Sequence, residues 1–439
     1  MQFSDTIFAL SSGRTPSGVA VVRVSGIHSR QVIESLTGGV PEARRAVMRS
    51  LKASDGTLLD RCLVIFFEGP ATFTGEDCSE FHLHGGSAVV ASVLNAIDAI
   101  AGVRAAEAGE FTRRAFLNGK VDLVEAEALA DLIAAETVAQ QRFALESAGG
   151  AQAGLYGSWR SRIVHALAMT EAELDFSDEG DVPGSVGDTV WADMVRLVAE
   201  IREHIGQFHR AEMIRDGYRV VIVGEPNAGK SSLLNAFARR EVAIVTDEPG
   251  TTRDLIDVSL DLGGLKVVVT DTAGLRDNPG AIEAIGIDRA LKRSEESDLV
   301  IRLVPAGAER AEFEGPRPRT DLVVMSKADL IEGGRMDGSG LSISTKTGQG
   351  IQELLLEIDR RARIAVNSSG GLLPARARHV AHLGDAASHL DGAISSPGEW
   401  LEVRAEELRR AAHSFGLIAG SIGVEDVLDA VFSEFCIGK

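Results

Sequence analysis

The stretch GEPNAGKS, Gly224–Ser231, constrains this chain more than any other. It fits G-x-x-x-x-G-K-[ST], follows the apolar run YRVVIVG and precedes SSLLNAFARR, so the pattern predicts a buried strand, a glycine loop and a helix. Glycines let consecutive backbone N–H groups turn inward onto phosphate oxygens, and the helix N-terminus adds its dipole. Lys230 is placed to reach the β/γ-phosphates and Ser231 to hold Mg2+, with Asn227, Ala228, Gly229 and Ser232 completing the cradle. Such a cradle belongs in a parallel α/β domain. From Tyr218 to Arg363 the chain does alternate strand-like and helix-like runs.

Further stretches fall where a nucleotide site needs them. PGTTRD supplies Thr252, a second candidate hydroxyl for Mg2+. VVVTDTAG supplies Asp271 near the metal, with Thr272, Ala273 and Gly274 near the γ-phosphate. Both segments are expected to act as switch loops, ordered by a triphosphate. VVMSKAD resembles the guanine-reading N-K-x-D signature, with Ser326 in place of the asparagine. Asp329 is expected to accept from the guanine N1 and N2 donors, which adenine lacks, while Lys327 packs over the ring. SISTKTGQG adds Ser344, Thr345 and Lys346. The residue after DTAG is Leu275, which cannot orient an attacking water as a glutamine does. Hydrolysis therefore needs another water-orienting group, with Asp277, Glu283 and Asp288 nearby. It also needs another positive charge, with Arg253 and Arg276 nearby.

The flanking sequence has a different texture. Residues 1–120 alternate short β-like runs with glycine turns, as in GVAVVRVSG and CLVIFFEGP. From Val121 apolar residues recur at helical spacing, and that texture returns after NSSGGLLP. The expected division is 1–120, 121–217, 218–365 and 366–439, with the α/β domain inserted into a helical one. The net charge of −19 argues against binding nucleic acid through a broad basic surface. Three cysteines, Cys62, Cys78 and Cys436, are too few and too scattered for a disulfide framework or a zinc site. With no apolar run of ~18 residues and no secretory pattern, a cytoplasmic protein without a membrane span is expected.

Several motifs outside the nucleotide site carry a resemblance. TPSGVAVVRVSG, FTGEDCSEFHLHGG, AGEFTRRAFLNGKVDLVEAEALADLI and the terminal CIGK join GEPNAGKSSLLN and GTTRD. Together they resemble the MnmE (TrmE) family of bacterial tRNA modification GTPases along nearly the whole chain. The resemblance implies a multidomain α/β protein. It would have an N-terminal α+β tetrahydrofolate-binding domain that also forms a homodimer, a discontinuous helical domain and an inserted Ras-like P-loop GTPase domain. It implies a heterotetramer with an MnmG/GidA-type flavoprotein that carries FAD, and the acidic net charge fits a division of labour in which that partner holds most of the tRNA. The implied reaction adds a carboxymethylaminomethyl or aminomethyl group to C5 of the wobble uridine, using the one-carbon unit of a 5,10-methylene- or 5-formyltetrahydrofolate. Carried over residue by residue, Arg23, Glu80, Lys120 and Lys439 match folate-site positions. The resemblance also implies K+ held by Asn227 and by the loop bearing Thr246, Glu248 and Thr251, with GTPase domains dimerising on GTP. Glu283 matches the family's water-orienting glutamate, and Cys436 would sit near the one-carbon donor as a nucleophile, a proton shuttle or a packing residue. The alternative is a regulatory ribosome-assembly GTPase, which the acidic charge and the FTGED region argue against.

Overall fold

The computed structural model describes residues 3–175, 185–244, 257–271, 297–307, 320–330, 341–367, 371–398, 400–420 and Gly438. The chain divides into two units. The first comprises Met1–Ala130, Ala153–Met194 and Ser388–Lys439, and the second Asp131–Gln152 and Val195–Ala387.

In the first unit β1 (Thr6–Leu10), β2 (Ser17–Ser25), β3 (Val47–Lys52), β4 (Leu58–Phe67), β5 (Cys78–Gly85) and β6 (Val103–Ala105) form a sheet in the order β3-β4-β5-β2-β1-β6. Neighbours are antiparallel except β1 with β6. The period-two pattern decides the two faces. Ala20, Val22, Val24, Val64, Phe81 and Leu83 are buried beneath α1 (Ser29–Thr37) and α2 (Ser87–Asp98), which contribute Val32, Ile33, Val93 and Ile97 to the same core. Each of these Val, Leu, Ile and Phe side chains contributes roughly 1.5–3 kcal/mol by leaving water. The alternate residues, among them Arg23, Glu80 and His82, are half-buried on the other face. At β1 that face is covered by α3 (Glu110–Leu117), whose Phe111 packs with Ile7 and Ala9.

The next helices are α4 (Leu123–Ala134), α5 (Val138–Ala148), α6 (Ala151–Asp175), α7 (Ser185–Gly206) and α8 (Phe208–Arg215). The second sheet carries α9 (Lys230–Ala238) and α10 (Ile351–Val366), and α11 (Ala377–Ser395) and α12 (Leu401–Ala419) follow it. In the first unit Tyr156 and Trp159 of α6 meet Phe415 of α12, with ring centroids 6.5 and 6.2 Å away. The Arg404 guanidinium lies 4.3 Å from the Trp191 ring centroid.

The second unit contains β7 (Tyr218–Gly224), β8 (Asp257–Leu262), β9 (Leu265–Asp271), β10 (Leu299–Pro305), β11 (Asp321–Ser326) and β12 (Leu341–Ser342), in the order β12-β11-β10-β7-β9-β8. Every pair is parallel except the β8–β9 hairpin. The inner strands are buried on both faces, so they read as apolar runs. Val220, Ile222, Val267, Val269 and Ile301 pack with Leu233 and Phe237 of α9 and Leu354 and Ile358 of α10. Phe143 of α5 and Met213 of α8 enter that same core. Thr137 caps α5 through a capping box with Gln140, and the Gln140 amide donates to the Arg215 carbonyl at 2.7 Å. The turn between β8 and β9 is held at Gly264, whose carbonyl accepts from the Ala139 N–H at 3.0 Å, and at Lys266, whose ammonium meets Glu136 at 2.5 Å. Among the described residues no helix is long and apolar enough to cross a membrane.

Candidate functional site

Strand β7 delivers the chain to Gly224, where a Cβ would lie 2.6 Å from the Leu303 carbonyl oxygen, so only glycine lets the loop leave here. The loop is then turned by left-handed residues, Asn227 at φ 64° and Gly229 at φ 99°, and α9 begins at Lys230. Left-handed positions next to a helix start aim N–H groups at one point, the geometry of an anion nest. Lys230 Nζ donates to the carbonyls of Gly224 (2.8 Å) and Glu225 (3.0 Å), which holds the ammonium over the loop. Ser231 Oγ donates to Asp271 Oδ2 at 2.7 Å. The P-loop hydroxyl and the carboxylate ending β9 thus meet at one point, a hard oxygen pair suited to Mg2+.

The base-reading segment is built from the ends of β11 and β12. Ser326 is buried, and its Oγ donates to the Ala228 carbonyl at 2.6 Å, tying β11 to the P-loop. Lys327 follows at φ 60°. Ala328 N–H donates to Ile343 O at 3.0 Å, and Ser344 Oγ donates to Asp329 Oδ1 at 2.7 Å. The bond from Ser344 holds the Asp329 carboxyl below the usual carboxylate range. The carboxylate is exposed and fixed, ready to accept from a ligand. Ser232, Thr345 and Lys346 line a groove of ≈ 980 Å³ between α9, the β8–β9 turn and α10. The structure therefore brings together Asn227, Ala228, Gly229, Lys230, Ser231, Asp271, Ser326, Lys327, Asp329 and Ser344. Thr246, Glu248, Thr251, Thr252, Thr272, Ala273, Gly274 and Glu283 lie outside the described residues.

A second cluster stands on the half-buried face of the first sheet. Arg23 on β2 and Glu80 on β5 are cross-strand partners, and Arg23 Nε and Nη2 donate to Glu80 Oε1 at 3.1 and 2.9 Å. The Arg23 guanidinium is 5.9 Å from the Phe111 ring centroid. Lys120 is not bonded to this pair; its Nζ donates to Pro70 O at 2.8 Å, at the start of the FTGED loop. That loop is fixed from several sides. Asn118 Nδ2 donates to Thr74 O at 2.7 Å, Ser25 Oγ donates to Glu76 Oε2 at 2.7 Å, and the buried Arg114 bonds Asp5, Glu76 and Glu110. Gly438 also belongs to this unit. Ser11 Oγ donates to Gly438 O at 2.7 Å, and Gly438 sits at φ 102° against the Leu10 carbonyl, where a side chain would clash. Cys436 and Lys439 lie outside the described residues. Cys62 is buried, and desolvation pushes its thiol up to about 12, which leaves it unreactive.

Comparison with known proteins decides the family. The model described as the MnmE helical domain matches residues 123–436, and that described as the GTP-binding protein TrmE N-terminus matches residues 6–120. A tRNA modification GTPase MnmE from Mesorhizobium japonicum is 57% identical over 439 residues, covering 99% of each chain. The chain belongs to the MnmE family of tRNA modification GTPases. Relatives of the same description from Chelativorans sp. and Brucella suis are 55% and 50% identical, covering 99% and 100% of this chain and 98% and 99% of their own. Among solved structures, the G domain of T. maritima FeoB is 23% identical over 33% of this chain and 98% of its own. Its TM-score is 0.24, too low to bear on the assignment. As an MnmE family member the protein is a GTPase acting in tRNA modification.

Sequence reasoning missed several residues that the geometry brings forward. Ser11, and Arg114 in its bonds to Asp5 and Glu76, act through partners remote in sequence, which no local pattern marks. His82 carried a usable signal: it is two residues from Glu80 on one strand, so alternation alone places both on one face. Its Nε2 lies 3.3 Å from Glu80 Oε2.

Proposed function

We propose that, within tRNA modification, this chain binds a reduced folate in its first unit and couples use of the one-carbon unit to GTP hydrolysis in its second. The modified atom is C5 of the wobble uridine. The partner is an MnmG/GidA-type flavoprotein bearing FAD, which holds most of the tRNA, consistent with a net charge of −19. The observation that carries this reading is the Arg23–Glu80 pair on a half-buried sheet face in the unit where Gly438 is seated on Ser11. A pterin offers N–H donors, and the Glu80 carboxylate keeps an acceptor site on Oε2 for one of them. Arg23 holds the Glu80 carboxylate beside the head, and Lys120, with Lys439, supplies cations for the anionic glutamate tail. When bound, the folate supplies carbon at the formyl or methylene level; the protein binds and orients it.

In the GTPase unit, Ser231 and Asp271 already share one point and would hold Mg2+ with Thr252. Asn227, Thr246, Glu248 and Thr251 would hold K+ beside the β/γ-phosphates, and a cation there offsets charge developing in the transition state. Glu283 orients the attacking water, the role Leu275 cannot fill. The working form is a cytoplasmic homodimer with domains at 1–120, 121–217 with 366–439, and 218–365.

Calorimetric titration of 5-formyltetrahydrofolate into the full chain and into a chain ending at Phe435 tests this reading. Binding to the first and clear loss in the second is expected. Equal binding would remove the tail from the site, and no binding to either would remove the folate site.

A further inference from the structure

Glu80 is held at both oxygens. Arg23 occupies Oε1 with two N–H groups, and His82 Nε2 lies 3.3 Å from Oε2. An ionised carboxylate cannot donate, so the imidazole N–H donates and the carboxylate accepts. The cross-strand surroundings of His82 are apolar. Its cross-strand neighbours are Val21 on β2 and Leu63 on β4, aliphatic side chains that offer no competing acceptor. The next histidine on that face, His84, is engaged elsewhere, with Nδ1 2.8 Å from Asp60 Oδ1. The two histidines of FHLHGG therefore serve different carboxylates, and only His82 bears on Glu80.

A carboxylate bonded at one oxygen can still rotate about its last torsion, a broad and soft one. Bonded at both, its plane is set. With Oε1 taken up by Arg23, a ligand N–H is left the free lone pair of Oε2, and reaching it needs that plane in one orientation. We propose that His82 is a positioning residue for the ligand's heterocyclic head: it locks the Glu80 carboxylate so that its remaining acceptor site, on Oε2, faces an N–H of a pterin-like head. This role rests on the folate reading proposed for the first unit.

The test is binding of 5-formyltetrahydrofolate and of 6-methyltetrahydropterin, which has the head but no glutamate tail, to the full-length protein. His82→Leu removes the donor, and His82→Gln keeps an N–H within reach of the same oxygen. Loss of one hydrogen bond to a charged group corresponds to about tenfold in affinity. His82→Leu is expected to weaken both ligands about tenfold, and His82→Gln to restore most of it. In a Glu80→Gln background, His82→Leu is expected to add little, because the two residues act as one unit. A disturbance of the sheet alone would instead add to the Glu80→Gln loss and would not be rescued by glutamine. The positioning role is overturned if His82→Leu binds both ligands as the wild type does, or if His82→Gln is as weak as His82→Leu. Absence of binding by the wild-type protein would overturn the folate reading itself, which separates the two failures.

Discussion

Ser326 stands where an asparagine is the usual residue of the guanine signature, and its geometry shows what the position does. Its hydroxyl reaches back to the Ala228 carbonyl inside the P-loop, so the shorter side chain still ties the base-reading strand to the phosphate cradle. Ser326→Ala leaves that carbonyl without this buried donor, which costs roughly 1–3 kcal/mol. Fluorescent GDP titration is expected to show about tenfold weaker binding. Unchanged affinity would mean that water replaces the bond. Asp329 sits at the other end of the same segment, oriented by Ser344. Asp329→Asn replaces a carboxylate acceptor with an amide whose N–H₂ suits the 2-oxo group of xanthine. GTP affinity is expected to fall about a hundredfold and XTP affinity to rise, as the loss of charge-assisted bonds requires. Competition of the two nucleotides for one site measures the exchange, and retained guanine preference would show that another group reads the base.

The loop between β12 and α10 depends on two glycines of different kinds. Gly350 precedes α10 at φ 71°, and a Cβ there would collide with the Ser342 carbonyl, which is backbone and cannot swing aside. Gly348 has φ 83° but open space around it. Gly350→Ala is expected to cost roughly 2–4 kcal/mol, strain plus clash, against about 1 kcal/mol for Gly348→Ala. Thermal unfolding of the two variants compares them directly, and equal shifts would show that the backbone relaxes around Gly350. Such features mark where the sequence could be read and where it could not. The cradle was legible because a glycine loop, a lysine and a hydroxyl act within a few residues of one another. The sheets were legible from alternation in GVAVVRVSG and from the apolar run YRVVIVG. The Ser11–Gly438 bond was not, because it joins residues 427 apart in the chain. Nor was the Arg114 network beyond its i,i+4 partner Glu110, since the same buried guanidinium also serves the remote Asp5 and Glu76. Packing brings those groups together, and composition near each of them is silent about it.

Stability against pH gathers contributions from all parts of a molecule, so a window is needed in which one group dominates. Glu357 on α10 is lowered to about 2, chiefly by its bond from Arg360, with Arg361 adding to it. Its folded value lies below its unfolded one, so its contribution is complete above the ordinary glutamate range and is lost only as pH falls toward 2. His204 on α7 behaves differently. It is buried, and desolvation, with His379 nearby, lowers it from 6.5 to about 4. Between those values the unfolded chain binds a proton that the folded one excludes, so folding is opposed increasingly as pH falls from 6.5 to 4 and by a constant amount below. The full penalty is about 3 kcal/mol, since each tenfold loss of proton affinity on folding is worth about 1.4 kcal/mol. Between about pH 6.5 and 5 most carboxylates remain ionised in both states, which isolates the histidine. The wild-type thermal midpoint is expected to fall from about pH 7 to about pH 5. His204→Phe, which carries no proton, is expected to fall less by the share His204 contributes. If the variant fell as far as the wild type, the buried imidazole would have to be protonated in the folded chain. His204 would then be a charged element of the second unit and not a neutral buried side chain.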